Sequence, residues 1–443
     1  MGFFSFLKRK SAPPATTPSA PPAAATAAAP VAAAHPVAVI LVRSEIVDQR
    51  LRLCGYRFGA PSDSSRHALP EALFFDALAA TGLAEFAQRR VALVPISADA
   101  VLFQRHLPVA APHTIFVLER GHTTLDPAQL AARMSALRAS GAQVALHGVT
   151  LAPADAPLLA VCEVAVLNLN EHTVAEFQNL TRQLRAAHPA LKLLIGGIDS
   201  WDEQRMCAAF GGDYFMGHFL VTNDKVDPDA KIDQSRVTSI ELLNLLRMDA
   251  ELSDMIEVAK RDPGMTLQVL QWANAPINGQ SSKVTSLHQA FMVLGRNQLY
   301  RGLTVSMFRL GGGGNRDRDE VLLEVALTRA RFLELASAGS LSQVQRDELF
   351  LVGLLSLFDV LMGVSLATIL DKMHLSDEIR EVLLKSEGPY APYLMLALLL
   401  ERNKVERAMD VATGLGLSAD SLGEIGATAF QWAQDALHHT VDG

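Results

Sequence analysis

The sequence predicts two fold classes in series: an α/β half built as a (β/α) TIM-like barrel, then an all-α half. Three observations carry this. Short continuous apolar runs alternate with amphipathic segments up to Asn223, strand signals cease from Asp233 on, and Arg261–Tyr300 reads as two capped amphipathic helices in succession. Continuous apolar runs suit strands buried on both faces, and a repeated strand–helix unit closes as a parallel sheet or barrel.

Taken in order, residues 1–36 form an Ala/Pro-rich tail too poor in packable side chains to offset ordering entropy. Its start, Phe3, Phe4, Phe6 and Leu7 followed by Lys8, Arg9 and Lys10, is apolar then basic, which predicts docking on a partner protein or an anionic membrane surface. Residues 37–222 hold the barrel. Its predicted strands are Val37–Val42, Val91–Ile96, Thr114–Leu118, Gln143–Leu146, Val164–Leu169 and Leu191–Ile195, with amphipathic helices such as Asp126–Ser140 and Thr173–His188 between them. Residues 233–443 hold the helical half, opening with Thr238 and Glu241 spaced as a capping box and a further helix start at Ser253 or Asp254.

Within that half, Asp262 suits an N-cap and Pro263 the first helical position, where a missing N–H costs nothing. Ser286 and Gln289 have the capping-box spacing, and Gly295 stops the helix that Leu287, Ala290, Phe291 and Leu294 stripe. Gly311–Gly314 lacks the Lys-Ser/Thr of a phosphate-binding loop and reads as a flexible connection.

Composition narrows the function classes. At 49% hydrophobic and 19% charged residues the chain is globular, and a net charge of −8, with 39 basic residues spread among 47 acidic ones, argues against nucleic acid as a partner. The three cysteines, Cys54, Cys162 and Cys207, lack CxxC spacing, so neither a disulfide framework nor a thiolate zinc site is indicated, and a reducing cytoplasm is the expected compartment. No apolar run reaches the roughly 18 residues that read as a membrane span.

Two resemblances add a functional frame. Gly55-Tyr56-Arg57-Phe58-Gly59, Val94-Pro95-Ile96-Ser97, Leu118-Glu119, Ala145-Leu146-His147-Gly148, Val166-Leu167-Asn168, Gly196-Gly197-Ile198-Asp199 and Met216-Gly217 follow in the order of the motifs of the EAL domain, a barrel that in active members hydrolyses the bacterial messenger cyclic di-GMP. The resemblance implies a degenerate site: Arg57, Pro95, His147, Val166, Asn168, Gly196 and Met216 stand where the family places metal-binding and catalytic groups, and Glu119 alone is kept. Glu71-Ala72-Leu73 spells the family letters but follows Pro70 without the preceding Gly-Tyr strand, and reads as a capping turn.

In the second half, Asp262-Pro263, Asn274-Ala275, Ser286-Leu287 and Leu294-Gly295 resemble the HDOD domain, an all-helical bacterial signalling module related to HD-type phosphohydrolases. The likeness extends to Phe350–Asp359, through Gly353, where Ser356 and Leu357 stand in place of a His-Asp metal pair.

Two-metal phosphodiester hydrolysis needs several carboxylates to hold hard cations and lower the pKa of the attacking water. The expected protein is therefore a regulatory, bacterial EAL–HDOD signalling protein that acts through contacts with another signalling protein, is no enzyme, and uses no cofactor. The alternatives are an effector that binds cyclic di-GMP without cleaving it, which the loss of polar groups argues against, and last a cyclic di-GMP phosphodiesterase. No His-Asp dipeptide or H-E-x-x-H occurs among the 13 histidines to supply a different site.

Overall fold

The structure, a computed structural model, describes residues 40–59, 70–119, 125–139, 141–224, 232, 234–275, 283–308 and 316–441. Residues 1–10, with Phe3, Phe4, Phe6, Leu7, Lys8, Arg9 and Lys10, lie outside the described residues, as does the Gly311–Gly314 run.

Among the described residues, strands β1 (Val42–Asp48), β2 (Leu53–Gly59), β3 (Val91–Ile96), β4 (Thr114–Leu118), β5 (Gln143–His147), β6 (Val164–Asn168), β7 (Lys192–Gly196) and β8 (Tyr214–Phe215) close a barrel in sequence order. Helices α1 (Glu71–Ala80), α2 (Leu83–Phe86), α3 (Ala98–Leu102), α4 (Pro127–Ala139), α5 (Ala156–Leu159), α6 (Val174–Ala187) and α7 (Trp201–Ala209) connect them. Five of the predicted strands appear within one residue of their expected bounds. The first does not: β1 starts at Val42, and it is antiparallel to both β2 and β8, while β2 to β8 run parallel.

The antiparallel strand has a local cause. A parallel crossover needs a dozen or more residues, and the turn from Asp48 to Leu53 is far shorter. Asp48 pins that turn, its carboxylate accepting from the backbone N–H of Arg50 at 2.8 Å and of Arg52 at 3.0 Å. No continuous apolar run marks β1, because Arg43 and Glu45 alternate with Ser44 and Ile46.

Ile46, Leu93, Ile115, Val117, Ala145, Val164, Val166 and Leu194 pack together inside the barrel, and they set the inward parity of each strand. A second apolar layer, including Val94, Phe116, Val144, Leu167 and Phe177, packs the outer strand faces against the helices. The helix predicted over Thr173–His188 is α6, closed at its start by a reciprocal Thr173–Glu176 capping box.

The helical half contains α8 (Gln234–Arg247), α9 (Leu252–Lys260), α10 (Pro263–Ala273), α11 (Leu287–Ser306), α12 (Arg316–Ala336), α13 (Gln343–Leu355), α14 (Phe358–Met362), α15 (Leu366–Leu370), α16 (Asp377–Lys385), α17 (Ala391–Glu401), α18 (Val405–Gly414) and α19 (Ala419–Val441). The expected helix start at Thr238 is corrected: Thr238 is buried inside α8, and Glu241 pairs with Arg261 at 3.0 Å. Gly295 breaks α11 as its composition predicts, with φ 66° and ψ 166°, but helix resumes at once rather than stopping. The α12–α13 contact is tight at Gly353, where an added Cβ would lie 2.4 Å from Ala330 Cα.

The two halves share an interface. Phe430 of α19 meets Tyr56 edge-on at 5.0 Å and lies 6.0 Å from Phe86, while the Arg43 guanidinium stacks 4.1 Å above its ring. Arg90 pairs with Glu324 of α12 at 3.0 Å, and Arg318 stacks on Trp201 at 4.7 Å. No helix among the described residues is long and apolar enough to cross a membrane.

Burial pushes the Glu324 carboxyl up to about 8, against a hydrogen bond from Gln434 and the pull of Arg43. A carboxyl raised on folding favours the native state most when protonated, so its contribution is complete below the ordinary value of 4.5 and is lost as pH rises through about 8. Stability by urea titration should therefore fall across that window, and Glu324→Gln should flatten the decline. Gly353→Ala should destabilise the chain by about 1–3 kcal/mol through overpacking against Ala330, measured by the same titration.

Candidate functional site

The site at the carboxyl ends of the barrel strands follows from parity. Two residues beyond the inward-facing Leu93, Val117, Ala145, Val166 and Leu194 come Pro95, Glu119, His147, Asn168 and Gly196, so these share one mouth, with Arg57 entering from β2. Val166 itself lies a layer deeper in the packed interior and is buried. The structure thus brings Arg57, Pro95, Glu119, His147, Asn168 and Gly196 to the mouth, and Met216 packs with the interior layer beside Gly196. The Met216 methyl lies 2.8 Å from where a Cβ on Gly196 would be, so only glycine fits there without the sulfur side chain moving.

The electrostatics of the mouth are local pairs. Arg57 donates to Glu119 at 3.3 Å, with both side chains well exposed. Asn168 donates to Glu171 at 3.3 Å, and His147 stands 3.9 Å from the same carboxylate. Asp199 and His218 form another pair at 3.3 Å. Glu171 and His218 are neighbours that the sequence reading missed, since neither falls at a strand end and no motif marks them.

Among the described residues no group of three or more His, Cys, Asp or Glu is arranged to hold a metal ion. A dinuclear site needs several carboxylates converging on one point, and those of the mouth, Glu119, Glu171 and Asp199, stand in separate local pairs instead. The donor set at these positions does not fit a pair of hard divalent cations, so no chemical step is drawn through one. Glu71, expected to cap a turn, is the first residue of α1 and serves elsewhere: its carboxylate accepts from the Ser97 backbone N–H at 2.8 Å and from its hydroxyl, fixing the N-cap of α3.

In the helical half the motif residues are structural joints. Asp262 caps α10, accepting from Gly264 N–H at 2.8 Å and Met265 N–H at 3.1 Å, and Pro263 takes the first turn. Asn274 at the end of α10 donates to the carbonyls of Leu270 and Val284 and accepts from Val284 N–H, each at 2.8 Å. It fixes the chain entering α11, where Ser286 accepts from Gln289 N–H at 3.2 Å.

Ser356 ends α13 and sits in a charge network. Its hydroxyl accepts from Arg329 at 2.6 Å and donates to Gly353 C=O at 2.7 Å. Arg329, almost wholly buried, forks onto Glu401 with bonds of 2.8 and 2.6 Å. Leu357, the other residue in the place of a His-Asp pair, is buried in the core.

The HDOD domain family matches residues 237–372. That match lies within the helical half, from α8 to just past α15. Two curated relatives match parts of the chain. The uncharacterized protein YuxH of Bacillus subtilis is 25% identical over 54% of this chain and 58% of its own, so the chain spans less than two thirds of that relative. A Vibrio cholerae protein named cyclic di-GMP phosphodiesterase CdgJ is 20% identical over 75% of this chain and 76% of its own. Among solved structures, the EAL domain protein of Listeria monocytogenes superposes on 41% of this chain and 87% of its own at 13% identity and TM-score 0.32. The YkuI protein of Bacillus subtilis, with an EAL domain, covers 58% of this chain and 73% of its own at 12% identity and TM-score 0.34.

The family match supports the HDOD resemblance, and the relatives correct one expectation. The sequence reading held the chain to be no enzyme; a relative matched over three quarters of both chains is named a cyclic di-GMP phosphodiesterase, and that expectation is withdrawn.

Arg57→Glu should place a second carboxylate beside Glu119. Titration calorimetry should then show stronger Mn²⁺ binding than in the parent chain, with stability changed by less than about 1 kcal/mol because the broken ion pair is exposed.

Proposed function

We propose that this chain is a signal-transduction protein of the cyclic di-GMP phosphodiesterase-related EAL–HDOD group, working in the cytoplasm, whose output is carried by protein–protein contact through its HDOD domain. One observation supports this most: the HDOD position that would carry a His-Asp pair is Ser356, locked by Arg329 and Glu401 into the joint between α12, α13 and α17. Such a network holds helices in one arrangement and offers a partner a fixed surface. The barrel then serves beside it as a partner domain whose open mouth carries local pairs, Arg57–Glu119 foremost.

A second reading, cyclic di-GMP phosphodiesterase activity in the barrel, is favoured by the name of the Vibrio cholerae relative. Glu119 separates the two. In cells lacking the native gene, the contact reading expects Glu119→Ala to keep signalling output and Arg329→Ala to lose it, with both variants checked for folding by circular dichroism. If output falls with Glu119→Ala, in step with cyclic di-GMP turnover by the purified chain in Mg²⁺ or Mn²⁺, the phosphodiesterase reading stands and contact signalling fails.

A further inference from the structure

A cavity of about 1100 Å³ opens between the two halves, bounded by β1, β2 and α1 on the barrel side and by α12, α17 and α19 on the HDOD side. It is distinct from the barrel mouth, because Arg43, Glu45, Tyr56 and Phe58 point outward from the strands whose inward residues fill the barrel. Its volume is at the upper end for pockets that enclose a drug-sized or short peptide ligand.

The lining has a definite chemistry. One wall is aromatic, with Tyr56, Phe58, Phe86 and Phe430. Six carboxyl groups line the cavity against two guanidiniums, and one of the six, Glu324, is held protonated by burial. The guanidiniums are already engaged: Arg329 is forked onto Glu401, and Arg43 is stacked on Phe430. Glu45, Asp76, Asp420 and Glu424 make no ion pair among the described residues. An occupant should therefore carry apolar or aromatic bulk together with several positive charges. A phosphate-bearing ligand is disfavoured by the same field.

The chain itself contains a segment of that kind. Phe3, Phe4, Phe6 and Leu7 supply the bulk, and Lys8, Arg9 and Lys10 supply three cations in a row. The described structure begins at Ile40, which with Leu41 lines this same cavity. A tether of about 30 residues spans roughly 30 Å as a flexible coil and more if Pro-rich and extended, so the segment can reach.

We propose that residues 3–10 dock in this interdomain cavity as an intramolecular ligand, the phenylalanines against the aromatic wall and the basic run against the unpaired carboxylates. The docked segment ties the barrel to the HDOD domain, and its release is a switch between them. A tether of this kind gives an effective concentration on the order of millimolar, so a free peptide of the same sequence binding at about 100 micromolar corresponds to roughly tenfold occupancy of the docked form.

The test uses full-length protein and a synthetic peptide of residues 1–12. Hydrogen exchange in the segments 71–80 and 419–431 should be slower in the parent than in a full chain carrying Phe3→Ser, Phe4→Ser, Phe6→Ser and Leu7→Ser, by roughly that tenfold factor. Added peptide should restore protection to the substituted chain and bind it, but should bind the parent far more weakly. Glu45→Gln with Glu424→Gln should weaken peptide binding, with folding verified by unchanged exchange in the barrel strands. Equal exchange in parent and substituted chains, or peptide binding indifferent to the carboxylates, overturns the proposal. So does protection brought to the substituted chain by dodecyltrimethylammonium but not by peptide, which assigns the cavity to a small cation. Segment-dependent binding of the parent to phosphatidylserine vesicles with no change in exchange on substitution assigns the segment to a lipid surface instead.

Discussion

The arrangement of the molecule depends on covering the outer face of β1 and β2. In a strand–helix repeat each parallel strand brings a helix to cover its neighbour, but the turn after Asp48 is too short to carry one. Tyr56 and Phe58 would otherwise present aromatic surface to water, and α12 and α19 of the helical half cover them. Burying such rings contributes on the order of 2–3 kcal/mol each, whereas the attraction within the buried Arg90–Glu324 pair is largely offset by desolvation. The interface is therefore apolar first, and the Arg90–Glu324 pair within it sets register more than strength.

This same constraint explains what the sequence disclosed and what it did not. The strands β3 to β7 were legible because they are buried on both faces, so Val91–Ile96 or Thr114–Leu118 reads as an unbroken apolar run. β1 was not, because Arg43 and Glu45 face another domain rather than solvent or core, and nothing local marks a charge as interfacial. β8 is only two residues long, below the length at which alternation can be seen. In the helical half, Asp262, Pro263 and Ser286 were legible because caps act within one turn of their own sequence position. The Thr238–Glu241 pair had the same spacing without the function, since tertiary packing extends α8 beyond it.

The candidate sites show a parallel division. Strand parity fixes Pro95, Glu119, His147, Asn168 and Gly196 at one mouth, so motif order alone placed them together. The partners that give the mouth its charge pattern, Glu171 and His218, come from connecting segments, and pairing across such segments is decided only by the closed barrel. In the HDOD domain Ser356 was singled out by what it lacked. Its present role rests on Arg329 and Glu401, which lie 27 and 72 residues apart along the chain from it or from each other as the helices fold back.

The interface also carries the electrostatic cost of the design. Arg43 is taken far enough from water that its guanidinium is lowered to about 10, and burial raises Glu45 and Glu324 nearby. Such groups would ordinarily be excluded from an apolar joint, because an isolated buried charge costs several kcal/mol. Here Arg43 is held by the π-face of Phe430 and the carbonyl of Gly426 on one side and by the field of Glu45, Glu324 and Glu401 on the other. Mutual compensation of this kind works only while the barrel and the helical half are in contact. Separation of the two would return each group to water singly, so the charges favour one docking geometry over sliding alternatives that the aromatic contacts alone would tolerate.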